Sequence, residues 1–194
     1  MKKITLMLLM LTTGFLFSCN SGASQGANDA AGSADETNVT EDTTGTAPGA
    51  LNEADSKFVT EAANGGMAEV ELGKLAQSKG SNGDVKAFGQ MMVTDHSKAN
   101  EELKAIAEAK GIALPDAPAE AQQQIKNDLS QQSGTSFDKG YINVMVEDHK
   151  KTVTLFEEAS KNLKDPELKA FADKTLPTLK MHLEHSQSLQ GKIK

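Results

Sequence analysis

No arginine occurs among the 194 residues of this chain, there is one cysteine and one tyrosine, and apolar residues rarely alternate with polar ones. Each shortage excludes something. Without the guanidinium fork that reads phosphates and base edges, and with 27 acids against 20 basic residues, no nucleic-acid partner is expected. A formal charge of −7 also argues against adhesion to an anionic membrane surface through charge. A single cysteine cannot form an intrachain disulfide, and weak alternation leaves little basis for strands. Phosphate-cradling loops, dinucleotide fingerprints and a hydrolase nucleophile elbow are all missing. No Ser/His/Asp set follows from the spacing, so the balance leans away from an enzyme.

What is present begins with an export signal. Lys2 and Lys3 precede an apolar run from Ile4 to Phe17, closed by Leu16-Phe17-Ser18-Cys19. A short basic region, an apolar run too short to span a bilayer comfortably and a small residue before the cut describe a secretory leader. Ser18-Cys19 resembles the bacterial lipobox, where the chain is cut just before a cysteine whose thiol is acylated. This predicts a signal peptide over residues 1–18 and lipidation at Cys19; an ordinary leader with a chance cysteine is the alternative. Loss of Lys2 and Lys3 makes the formal charge two units more negative than −7. Apart from Cys19, Gln25 and Pro48, residues 19–52 are Gly, Ala, Ser, Thr, Asn and acids, with Val39 and Leu51 the only large apolar side chains. Such a segment cannot offset its ordering entropy by burial and reads as a flexible tether. The expected location is the bacterial envelope, anchored by lipid and facing the periplasm, with the outer membrane favoured over the inner.

Residues 53–194 read as one all-α domain. The 3.6-residue spacing predicts long helices over about 54–79, 83–110, 136–163 and 165–190, and a short one around 119–132. Asp165-Pro166-Glu167 is an N-cap followed by proline at the first helical position. A gapless shift of 83 residues places Asp55 on Asp138, Phe58 on Tyr141, Val70 on Val153 and Ala76 on Ala159, and Val85-Lys86-Ala87-Phe88 on Leu168-Lys169-Ala170-Phe171. The domain is therefore expected to be a ferritin-like four-helix bundle of two related hairpins, with a crossover containing the short helix. The first helix is rich in small residues (Ala62, Ala63, Gly65, Gly66, Gly73), which permits close approach by a neighbour. On the third, the expected buried stripe is Tyr141, Val144, Met145, Thr152, Leu155, Ala159 and Leu163.

All four histidines fall on long helices. His96 lies four after Met92, His149 four after Met145, and His182 three after Leu179, each on its helix's apolar stripe. His96 and His149 stand at helix midpoints and His182 about one turn from one, so the three rings should converge at the bundle centre. Met92-Val93-Thr94-Asp95-His96 and Met145-Val146-Glu147-Asp148-His149 each set a carboxylate beside the imidazole. Asp95 and Asp148 can flank the site or orient a histidine across the interface. From the first helix Glu69, in phase with Ala62, Gly66 and Gly73, is preferred over Glu71. The candidate ligand set is thus His96, His149, His182, Glu69, Asp95 and Asp148, suited to a divalent Zn, Fe, Mn or Cu ion. The alternative is a structural His/Asp network that fixes helix register in a non-catalytic envelope binding module. His185 should sit near the edge. Met67, Met92 and Met145 read as core filler. Pro177 should kink the last helix ahead of His182.

With MAEVELGKLA, DVKAF, MMVTDH, FDKGYINVMVEDH and LKAFADKTLPTLKMHLEH in place, the stretch from about 54 to 190 resembles the domain-of-unknown-function 4142 family (DUF4142) of the ferritin-like superfamily. The resemblance implies an exported four-helix bundle without an established activity. It implies recurring positions at Glu69, Asp95, His96, Asp148, His149 and His182. Val93, Val146 and Leu179 stand three residues before the three histidines, so the Glu-x-x-His of di-iron proteins is lacking at each. The chain could be a monomer or a homodimer, and any protein partner is undefined by sequence.

Overall fold

Capping chemistry decides where each helix of this protein begins. A computed structural model describes residues 51–193; the expected leader, Cys19 and the tether up to residue 50 lie outside the described residues. Asn52 accepts from the Asp55 amide and opens α1 (Glu53–Lys79). Asn82 accepts from the Asp84 amide and opens α2 (Gly83–Ala109). After α3 (Glu120–Ser130) and α4 (Gly134–Asn162), Asp165 accepts from the amides of Glu167 and Leu168 and opens α5 (Pro166–Lys192). These side chains satisfy amides that have no partner within the helix. Helix α2 stops at Lys110 because Gly111 adopts a positive φ of 67°, which favours a residue without Cβ. No strand occurs among the described residues.

Helices α1 and α2 form one hairpin and α4 and α5 the other; α1 packs beside α4, and α2 beside α5. Asp55, at the start of α1, accepts the amides of Lys164 and Asp165 in the α4–α5 turn, both at 3.0 Å. Asp138, near the start of α4, accepts the amides of Ser81 (3.0 Å) and Asn82 (2.9 Å) in the α1–α2 turn, and the Ser81 hydroxyl. The start of each hairpin therefore clasps the turn of the other, so α1 and α4 run antiparallel. Lys164 and Asp165 are the 83-residue counterparts of Ser81 and Asn82, and the two clasps are one device used twice. The repeat read from sequence is a spatial pseudo-two-fold of the bundle.

Antiparallel α1 and α4 leave α2 and α4 parallel, so residues 110–133 must travel the bundle's length. They do so as the expected crossover. Its helix α3 docks on α1 and α4 through buried Leu129, a 2.8 Å Lys126–Glu71 ion pair and a hydrogen bond from Lys79 to the Ser130 carbonyl.

Close approach within the first hairpin comes from Gly73 and Gly89, where an added Cβ would meet the other's carbonyl oxygen at 2.6 and 2.8 Å. Gly65, grouped with the close-approach residues by sequence, has nothing within 4 Å of that position. On α4 the expected stripe is out of phase in part. Val144, Thr152 and Leu155 are half-buried, whereas Phe137, Ile142, Val146 and Phe156 are buried. The cause is that α4 touches α1, α3 and α5, so its covered arc is wider than one stripe. Helix α5 continues unbroken through Pro177.

The core is divided. One apolar cluster gathers Phe58, Leu103, Phe156, Leu168, Phe171 and Leu179; the other gathers Leu72, Phe88, Met92, Phe137, Tyr141 and Met145. Met92 and Met145 are core residues as expected, while Met67 is half-buried beside a surface groove.

Candidate metal centre

Between the two apolar clusters lies a polar layer contributed by the helix midpoints. His96 of α2, His149 of α4 and His182 of α5 are 6%, 1% and 0% exposed, and Glu69 of α1 is 5% exposed. The ring centroids are 5.7 Å apart for His96–His149, 5.4 Å for His96–His182 and 5.3 Å for His149–His182. The convergence expected from helix phase is therefore present. Among the described residues these three are the set whose ligand atoms lie mutually close, all within 4.8 Å of one another.

The surrounding groups fix which nitrogens face inward. Met145 offers a carbonyl 2.9 Å from His149 Nδ1, and a carbonyl can only accept, so Nδ1 carries the proton and Nε2 a lone pair. Asp95 Oδ2 lies 2.9 Å from His182 Nε2, which donates to it and leaves the lone pair on Nδ1. His149 Nε2, His182 Nδ1 and His96 Nε2 are all buried without a protein hydrogen-bond partner. An unpartnered buried polar atom costs about 1–3 kcal/mol, and each of the three rings carries one.

Carboxylates surround this triangle and stand outside it. Asp95, read from sequence as a candidate ligand or orienter, is committed to His182, in the manner of the carboxylate behind a metal-bound imidazole. Glu69 Oε1 lies 3.5 Å from His149 Nδ1, on the ring edge away from the inward nitrogen, and its Oε2 is buried and unpartnered. Asp148 is half-buried and makes a 4.0 Å contact with Lys151; it touches none of the three rings through a hydrogen bond or ion pair. His185 is exposed, edge-on to Phe88 and off the cluster.

Burial sets the charge state. It lowers His96 well below the ordinary imidazole range, with His149 and His182 adding repulsion. It brings His149 down to about 4, helped by His182. It lowers His182 too, against the opposing pull of Asp95. Burial raises Glu69 well above the usual carboxylate range, and the charge of Asp148 raises it further. Neutral imidazoles with free lone pairs are the form in which histidine binds a divalent ion.

Fold and site together define a ferritin-like helical bundle with a buried histidine triad at its waist. The chain belongs to the family described as domain of unknown function (DUF4142), whose model matches residues 40–189. The crystal structure of a DUF305 fragment from Deinococcus radiodurans is similar, with a TM-score of 0.65 at 11% identity, covering 73% of this chain and 98% of that one. At that identity the likeness concerns the fold alone. No curated protein matches the chain.

Proposed function

We propose that this protein is a lipid-anchored envelope protein whose bundle binds one divalent transition metal ion through His96 Nε2, His149 Nε2 and His182 Nδ1. One observation carries the reading: three buried histidines each bring a ring nitrogen within 4.8 Å of the other two, and each ring has a buried nitrogen without a hydrogen-bond partner. The centre of a triangle with that side is at most about 2.8 Å from each corner, against a metal–nitrogen bond of about 2.0–2.1 Å. A closure of under about 1 Å per ring completes the coordination. Zn, Fe, Mn and Cu all accept imidazole donors, and storage, buffering or simple redox chemistry would follow from which one is held. Asp95 holds His182 and the Met145 carbonyl holds His149 in the ligating tautomer, and Glu69 adds a carboxylate 3.5 Å from His149 Nδ1. The anchoring half of the proposal rests on Cys19 and the apolar run before it.

The test is elemental analysis of the purified full chain after refolding with each ion and removal of excess. Near one equivalent of metal is expected, lost in a His96→Ala/His149→Ala double variant. Metal-free protein from every ion, with the double variant merely melting lower, would leave the histidines a structural network.

A further inference from the structure

The triangle of imidazoles leaves Glu69 and Asp148 outside it, and both border a different feature. A groove of about 430 Å³ runs between α1, α3 and α4, lined by Glu69 of α1, Gln122 of α3 and Asp148 of α4. None of the three cluster histidines lines it. Glu69 is 5% exposed, and its Oε2 has no hydrogen-bond partner. Gln122 Oε1 is buried and unpartnered as well. Asp148 is half-buried, and its one ion-pair contact among the described residues is 4.0 Å from Lys151, an exposed lysine. The charge of Asp148 is felt at Glu69, so the two carboxyls are neighbours. Burying a carboxyl without a partner is costly unless an opposite charge joins it.

We infer that this groove is a second cation site, where Glu69, Asp148 and Gln122 Oε1 hold one Ca²⁺ ion together with water. The inference does not rest on metal binding by the histidines. Donor chemistry selects the class of ion. Three oxygens without nitrogen or sulfur suit a hard cation, whereas the imidazole cluster suits Zn or Cu. Flexibility then favours Ca²⁺ over Mg²⁺, because side chains from three separate helices make an irregular set and Mg²⁺ demands a near-ideal octahedron. Room is sufficient. Each water takes about 30 Å³, so the groove admits the waters that bring three protein oxygens to about six to eight. Two features oppose the ion, and neither prevails. The start of α3 adds about half a positive charge against two carboxylates, and the ammonium of Lys151 is free to turn into solvent. An ion held this way ties the crossover helix α3 to both hairpins.

Calorimetric titration of the full chain with CaCl₂ tests the site. About one saturable equivalent is expected. Glu69→Gln and Asp148→Asn preserve side-chain size, and Gln122→Ala lies on the short helix; each should lose at least about tenfold in affinity at unchanged helix content. The His96→Ala/His182→Ala variant should bind Ca²⁺ as the unaltered chain does. Without any substitution, Ca²⁺ should also slow hydrogen exchange at the α3 amides. No saturable uptake, an affinity unchanged in any of the three groove variants, or α3 exchange indifferent to Ca²⁺ overturns the site. Loss of Ca²⁺ binding in the histidine variant overturns its independence from the imidazole cluster.

Discussion

The sharpest consequence of burying neutral imidazoles is a stability that falls with acid. In the folded chain His149 is held at about 4, against 6.5 for an unperturbed ring. Between those two values the unfolded chain binds a proton that the folded chain refuses, so stability rises with pH there and is lost as pH falls from 6.5 toward 4. At 1.36 kcal/mol per unit of pKa, His149 alone accounts for about 3 kcal/mol across that window. His96 and His182 are displaced in the same direction and add to it. Glu69 acts oppositely: its raised pKa favours the fold below the ordinary carboxylate value, and that benefit is lost as pH rises through the folded value. Asp148, raised by its own burial, acts with Glu69; two raised carboxylates set against three lowered imidazoles leave a net rise in stability with pH from 4.5 to 6.5. The assay is urea unfolding of chelator-treated full chain at several pH values, beside His149→Gln. Between pH 7 and pH 4 the unaltered chain should lose about 3 kcal/mol more than the variant. Equal losses in both would refute the claim that the buried ring stays neutral.

Three further outcomes are expected. Asp95→Ala removes the acceptor for His182 Nε2 and should weaken metal affinity about 10–100-fold by competitive chelator titration, with an unchanged affinity counting against its orienting role. Asp138→Ala removes three hydrogen bonds to the α1–α2 turn and should cost about 3 kcal/mol in urea unfolding; Asp55→Ala should cost a similar amount at the opposite end, and the two losses should add because the clasps share no contacts. Cys19→Ser should move the expressed protein out of the membrane fraction and abolish labelling by a radioactive fatty acid; a variant that stays membrane-bound would exclude acylation as the anchor.

Much of this protein could be read from sequence because its signals are local. Asn82, Asp165 and Gly111 mark helix ends through hydrogen bonds and backbone angles that depend on near neighbours only. The three histidines converge because helical phase and midpoint position suffice to bring them to the waist, however the side chains turn. Phase does not say which ring nitrogen points inward. That is decided by Met145 from the same helix and Asp95 from a different one, the second set by how α2 lies against α5. The match of Asp55 with Asp138 was visible as a repeat, but its meaning was not, since the clasped amides are 109 and 57 residues away.

The duplicated architecture also bears on why the polar layer exists. A device that the bundle needs for its own stability should appear in both halves, and the aspartate clasp does, with its turn residues in register at each end. The histidine layer appears once. At its counterpart positions stand Leu179, Gly66 and Ala99, and a small void there is lined by Phe156 and Phe171 together with Asn100, Glu69 and Thr152. The waist thus does not require imidazoles to close. Unpartnered lone pairs at the centre of a bundle impose a cost of about 1–3 kcal/mol each, and a network kept only to fix register would be expected to turn those atoms toward one another. Instead Asp95 and Met145 each bond one nitrogen of a ring and leave His182 Nδ1 and His149 Nε2 buried without a partner. On the metal-binding proposal that arrangement costs stability in the metal-free fold and is offset when a cation binds, whereas a structural network would leave the cost unrelieved.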